Sequence, residues 1–145
     1  MRNRDSGLLL LDTHVWIWAV EGVAAELAPP AIDRIERASD AGAVRVAAIS
    51  VWEVAMLEAR GRLHLALEID EWVRQGLAAP GVQMVPLSPE IAVDSVRLPG
   101  NPSGDPADRM LMATARRIGA ALVTRDEQIL AYGGSGHLSV LDATP

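Results

Sequence analysis

The chain has 145 residues, half of them hydrophobic and 22% charged, which suits one globular domain spanning 1–145 and excludes a disordered or low-complexity polypeptide. It has no cysteine, so a disulfide framework and a thiolate metal site are both excluded. The formal charge is −6 and all 13 basic residues are arginine; this argues against a broad nucleic-acid-binding face, because non-specific affinity comes from neutralising phosphates.

In chain order, the segment 1–7 is charged, and the apolar run behind it, Leu8–Leu11, stops at Asp12. That run is too short for a signal h-region or a membrane span, so a soluble, unprocessed, cytoplasmic protein with no membrane partner is expected. The run itself reads as a strand covered on both faces, suited to the centre of a sheet. Thr13 is expected to cap a helix through Val15, Trp16, Ile17, Trp18 and Val20, apolar nearly all round and therefore buried or awaiting a partner. His14 reads as a polar residue closing that helix start. The pattern breaks over 22–30 and resumes over 31–40 as a helix with Ile32 and Ile35 on one face.

Residues 44–49 read as a second buried strand, and Ser50 as the start of a helix bearing Glu53, the two forming a capping box. Trp52, beside Glu53, reads as a core or interface anchor. Gly61 ends that helix near an exposed basic cluster of Arg60, Arg62 and His64. Ile69, Trp72, Val73, Gly76 and Leu77 give a helical stripe ending before Pro80-Gly81. An edge strand follows over 82–87, and Ser88-Pro89-Glu90 opens the next helix as N-cap, N1 and N2. An irregular loop over 99–104 leads into GDPADRMLMATARRI, residues 104–118. Proline is tolerated at the first helical position, so this helix begins at Asp105 or Pro106, with Leu111, Met112, Ala115 and Ile118 on one side. On a purely local reading Asp105 is its N-cap and Asp108 its acidic N3 residue. A strand over 120–123, a helix over 125–132 with Thr124–Glu127 as its capping box, a glycine turn over 133–136 and a last strand over 138–141 complete the chain. Alternating strands and helices predict a three-layer α/β/α sandwich around a mainly parallel sheet.

In such a sheet the strand carboxyl ends share one edge, where ligands bind. Asp12, Glu53, Asp105, Asp108 and Asp126 all stand just past a hydrophobic run or at a helix start. Capping accounts for each separately, but not for their gathering at one end. Carboxylates crowded together repel, and a divalent cation relieves the repulsion. Hard oxygen donors and the absence of thiolates point to Mg²⁺ or Mn²⁺.

LLLLDTHVWIW at 8–18, ISVWEVAMLEARGRL at 49–63, GDPADRMLMATA at 104–115 and LVTRDEQIL at 122–130 resemble, in order, the four motifs of PIN-domain ribonucleases, most of all the VapC-type toxins of type II toxin–antitoxin systems. The resemblance implies a five-stranded sheet in the order 3-2-1-4-5 and metal ligands at Asp12, Glu53, Asp108 and Asp126, with Asp105 a further acidic contributor. Asp12, Glu53, Asp108 and Asp126 are the candidate catalytic set, and Thr124 and Arg109 are candidates for substrate or structural support. It further implies a single-stranded RNA substrate, a homodimer, a VapB-like antitoxin and contact with operator DNA only through that antitoxin. The apolar stripes at 15–20 and 69–77 are the expected dimer and antitoxin contacts. One departure stands out: Ser103 and Gly104 replace the His-Arg pair that relatives often place before the Asp-Pro motif.

The implied chemistry is metal-dependent hydrolysis of RNA by activated water, leaving 5′-phosphate and 3′-hydroxyl ends. A receiver-type signalling domain and a haloacid-dehalogenase-like phosphatase share the acidic layout, but each needs a lysine that this chain lacks. A catalytically weakened PIN-like domain that only binds an antitoxin or regulates is the remaining alternative.

Overall fold

The computed structural model describes residues 7–145. The charged start of the chain read above lies, Gly7 apart, outside the described residues. Strand β1 (Leu9–Leu11) is buried throughout, and its side chains alternate across the sheet: Leu9 and Leu11 join one core cluster and Leu10 the other. With β2 (Val44–Ala47), β3 (Val82–Val85), β4 (Ala121–Thr124) and β5 (Val140–Asp142) it forms a sheet in the order β3-β2-β1-β4-β5. Every pairing is parallel, with Leu9 opposite both Val44 and Ala121. The sheet is thus wholly rather than mainly parallel, and its order is the one the resemblance implies.

Helices α1 (Thr13–Glu21), α2 (Pro29–Asp40) and α4 (Ile69–Ala78) cover one face. On the other lie α5 (Pro89–Ser95), α6 (Pro106–Ile118) and α7 (Glu127–Gly134). Helix α3 (Ala48–Ala59) spans the strand ends between the layers: Val51 and Val54 pack into the first cluster and Ile49 against the second, and the helix touches both α1 and α6. No described helix is long and apolar enough to cross a membrane.

Trp16 and Trp72 meet edge-on with ring centroids 4.9 Å apart, and Gly76 lies against the Trp16 ring, where a Cβ would come within 3.1 Å. Close approach explains the glycine in an otherwise apolar stripe. Val15, Trp16, Ile17 and Trp72 are almost wholly buried. The central residues of both stripes therefore form the protein's own core, where truncating an aromatic costs about 3–5 kcal/mol, while Val20 stays exposed and Trp18, Ile69, Val73 and Leu77 are half-buried.

Several boundaries move. Helix α2 begins at Pro29, because proline is at home in a first turn, and a short 3-10 turn, Ala24–Glu26, occupies part of the expected break. Strand β2 stops at Ala47, and α3 begins at Ala48, so Ser50 lies within the first turn and is no N-cap. Gly133 and Gly134 continue α7 instead of forming a turn; Gly133 packs so tightly on Val140 that a Cβ would stand 2.5 Å from a methyl. The last strand is shifted to 140–142.

Candidate functional site

All five strands point the same way, so one edge of the sheet collects the residues just past β1 and β4, and α6, which leads back into β4, starts there too. Asp12 is the residue after β1. Its N–H donates to the Val123 carbonyl at 3.0 Å, which fixes it beside β4. Asp12, not Thr13, is the N-cap of α1: Oδ1 accepts from the Thr13 N–H at 2.7 Å and Oδ2 from the Thr124 hydroxyl at 2.6 Å. Burial pushes the Asp12 carboxyl above the usual carboxylate range; the Thr124 hydroxyl and the Thr13 N–H oppose the rise, and the charge of Asp126 adds to it.

Thr124 ends β4 and does not cap the following helix, so the Thr124–Glu127 capping box does not form. Its oxygen also accepts the Asp126 N–H at 3.0 Å, joining Asp12 to Asp126. Asp126 itself caps α7, with Oδ1 accepting from the N–H groups of Gln128 at 2.9 Å and Ile129 at 3.1 Å.

Glu53 is presented by the bridging helix α3. Its Oε1 lies 2.6 Å from Thr13 Oγ1, which also lies 2.8 Å from Ser50 Oγ. A hydroxyl has one proton and a carboxylate only accepts, so Thr13 donates to Glu53 and Ser50 supplies the second bond. Burial raises the Glu53 carboxyl, partly offset by the Thr13 hydroxyl, with the charges of Asp12 and Asp105 adding to the rise. Thr13 and Ser50, 1% and 0% exposed, are the members of this constellation that sequence reasoning did not place in it. The available signal was a small hydroxyl residue directly after Asp12 and another one turn before Glu53.

Asp105 caps α6 as expected, accepting the Asp108 N–H at 2.8 Å. Asp108 differs from the others, since its side-chain oxygens have no hydrogen-bond or ion-pair partner among the described residues. Burial first, then the charges of Asp105, Asp12, Asp126 and Glu53, push its carboxyl up to about 7. The five acids therefore act on one another, in keeping with their motif positions. The N-termini of α1, α6 and α7 each carry an acidic cap here, and their dipoles offset part of the repulsion.

Arg109 holds backbone: Nε donates to the Ser95 carbonyl at 2.8 Å and Nη1 to the Pro102 carbonyl. His14 is exposed and packs on Trp18, with centroids 5.7 Å apart, and Arg125 lies 4.9 Å above the Trp18 ring while pairing with Glu26. Trp52 is 55% exposed, so it is not core. It lines an apolar groove of about 540 Å³ with Met56, Leu87, Pro106 and Met110, whose rim includes Glu53 and Asp105.

Among the described residues no three acidic or histidine side chains are already arranged to hold an ion. Threonine hydroxyls and cap bonds draw Asp12, Glu53, Asp105 and Asp126 back toward the protein. The donor chemistry nevertheless fits a hard divalent cation: every candidate ligand is a carboxylate, and the half-buried Asp108 carboxylate is unpaired among the described residues and repelled by four others.

The PIN domain family model matches residues 9–134. The chain is 38% identical over 125 residues to Ribonuclease VapC22 of Mycobacterium tuberculosis, covering 86% of this chain and 91% of that protein. In fold it is similar to VapBC2 from Rickettsia felis bound to a DNA fragment from their promoter, with a TM-score of 0.67, 13% identity, and 94% of this chain and 98% of that chain covered. It is similar also to DNA-bound VapBC from Salmonella typhimurium, with a TM-score of 0.62, 18% identity, and 93% and 97% covered.

Proposed function

The chain belongs to the PIN-domain family, and from that premise we propose that it is a metal-dependent endoribonuclease acting as the toxin of a toxin–antitoxin pair. One observation carries the reading: five carboxylates from four separate segments gather at the carboxyl edge of the sheet, and Asp108, unpaired among the described residues, has its carboxyl pushed up to about 7. Asp12 and Asp108 would hold a Mg²⁺ or Mn²⁺ ion directly, with Glu53, Asp126 and Asp105 completing the site. When bound, the ion supplies an activated water and neutralises charge developing on the phosphoryl group. Glu53 or Asp126 would accept a proton from the attacking water; burial raises the Glu53 carboxyl, which brings that group closer to the working pH. Thr124 orients Asp12 by donating to Oδ2 while the Thr13 N–H holds Oδ1, and the Thr13 hydroxyl orients Glu53 by donating to Oε1.

The 38% identity to a VapC ribonuclease and the likeness to VapBC assemblies support an RNA substrate and a VapB-like antitoxin as partners. The exposed groove carrying Trp52 and Leu87 is the surface we assign to the homodimer.

Purified protein incubated with single-stranded RNA tests the reading. Cleavage with Mg²⁺ or Mn²⁺, lost with chelator and in Asp108→Asn, and leaving 5′-phosphate ends, is expected. Cleavage that survives chelation, or that leaves 2′,3′-cyclic phosphates, rejects it.

A further inference from the structure

The segment between α5 and α6 contains three residues with positive φ: Gly100 at +73°, Asn101 at +44° and Gly104 at +142°. It belongs to no helix or sheet ladder over 99–104; beyond one turn bond, from the Asn101 N–H to the Leu98 carbonyl at 3.1 Å, its shape is held by side chains of other elements. Two side chains do so at its carbonyls. Arg109, in the second turn of α6, forks between the Ser95 carbonyl at the end of α5 and the Pro102 carbonyl in the loop. Tyr132 on α7 donates its hydroxyl to the Pro99 carbonyl at 2.7 Å. His137 supports this end, with its ring 5.5 Å from that of Tyr132 and against Gly100.

The loop ends on the acidic site. A Cβ at Gly104 would lie 3.4 Å from the Asp108 Cβ and 3.8 Å from its Oδ2, and the next residue, Asp105, accepts the Asp108 N–H. Fixing Pro102 therefore fixes the backbone that walls Asp108 and the carboxylate beside it. Arg109 is half-buried and forms no ion pair among the described residues, although the chain carries a net charge of −6. Its donors reach two carbonyls seven residues apart in sequence, a task for a rigid fork that the single ammonium of lysine does not reproduce.

We propose that Arg109 is a positioning residue: by clasping the Ser95 and Pro102 carbonyls it sets the 99–104 loop, and with it Asp105, against Asp108. This rests on the nuclease reading above and gives Arg109 no contact with RNA.

The test compares wild type with Arg109→Lys and Tyr132→Phe, measuring steady-state RNA cleavage, thermal stability and amide hydrogen exchange over residues 100–105. Arg109→Lys is expected to exchange faster there and to lose roughly tenfold or more in kcat, while KM for RNA stays within about twofold, because displaced catalytic groups cost rate rather than uniform binding. Tyr132→Phe, which frees only the far end of the loop, should shift both quantities in the same direction but less. Faster exchange with kcat unchanged in either variant overturns the proposal, as does a raised KM at constant kcat, which would make Arg109 an RNA contact. If Arg109→Lys fails to fold, Tyr132→Phe decides alone by the same criterion. A wild type that cleaves no RNA removes the nuclease reading itself, whereas a cleaving wild type with an equally fast Arg109→Lys removes only this inference.

Discussion

Asp108 carries an energetic conflict that its neighbours do not share. Asp12 and Glu53 are each compensated by a threonine hydroxyl, and Asp105 and Asp126 by backbone N–H groups, but the Asp108 carboxylate meets only burial and like charge. Burial and like charge push its carboxyl up to about 7 in the folded chain against 3.8 ordinarily, so between those values the folded state binds the extra proton. Stability from this group is thus greatest below the unfolded value and is lost as pH rises toward about 7, the reverse of a salt-bridged aspartate. Asp108→Asn should abolish cleavage yet make the metal-free protein more stable, by on the order of 1–2 kcal/mol at neutral pH after allowance for screening. Urea unfolding at several pH values checks this: the advantage should grow toward about pH 7 and then level off, and a variant less stable than wild type throughout would contradict it. At this scale the acids themselves were legible, because hydrophobic runs point to their positions. The hydroxyls of Thr13 and Ser50 were not, because their value lies in contacts 40 and 37 residues away, which no local pattern records.

The elements were legible where a stripe or a proline fixed them. Helix α6 starts where Asp105-Pro106 said it would, and α5 is capped by Ser88 as read. The misplaced boundaries share a cause: a capping residue was chosen by type, while tertiary pairing decided which one served. Ser50 and Thr124 look like caps, but one bonds across to Thr13 and the other to Asp12, so Ala47 and Asp126 take the cap positions. Moving α3 two residues earlier also removes the local explanation for Glu53, leaving its place between α1 and α6 as the reason for its acidity. Tight crossings between elements are invisible to periodicity as well. Gly81, at φ +78°, leads into β3 with its Cα against α2, where a Cβ would sit 2.0 Å from the Ser39 carbonyl oxygen. Gly22, at φ +72°, has open space around it. Gly81→Ala should therefore cost about 3 kcal/mol or more and Gly22→Ala only about 1–2 kcal/mol, the ordinary cost of a left-handed non-glycine residue. Thermal or urea unfolding of the pair checks this; equal losses would mean that α2 yields freely.

Across the whole molecule, the charge that argued against nucleic-acid binding is partly the site itself, because five of the 19 acidic residues stand at one edge of the sheet. A parallel sheet makes that concentration possible: every strand delivers its carboxyl end to the same side, and α3 bridges the two helical layers to bring Glu53 there. Strand order was not readable from periodicity and came from the resemblance; a run of buried leucines says that a strand is central but not which strands flank it. Partner faces are not legible in periodicity for the same reason, since apolar stripes look alike whether they meet a partner or, as with Trp16 and Trp72, each other. The proposed nuclease stands or falls on whether these carboxylates form one cation site whose affinity is set by the Asp108 proton. Mn²⁺ binding to the RNA-free protein, tracked by loss of the free-ion electron paramagnetic resonance signal from about pH 5 to about pH 9, decides it without recourse to activity. Affinity should climb as pH rises through about 7 and fall at least tenfold in Asp108→Asn; Mn²⁺ affinity that is flat across this range, or unchanged by that substitution, would contradict it.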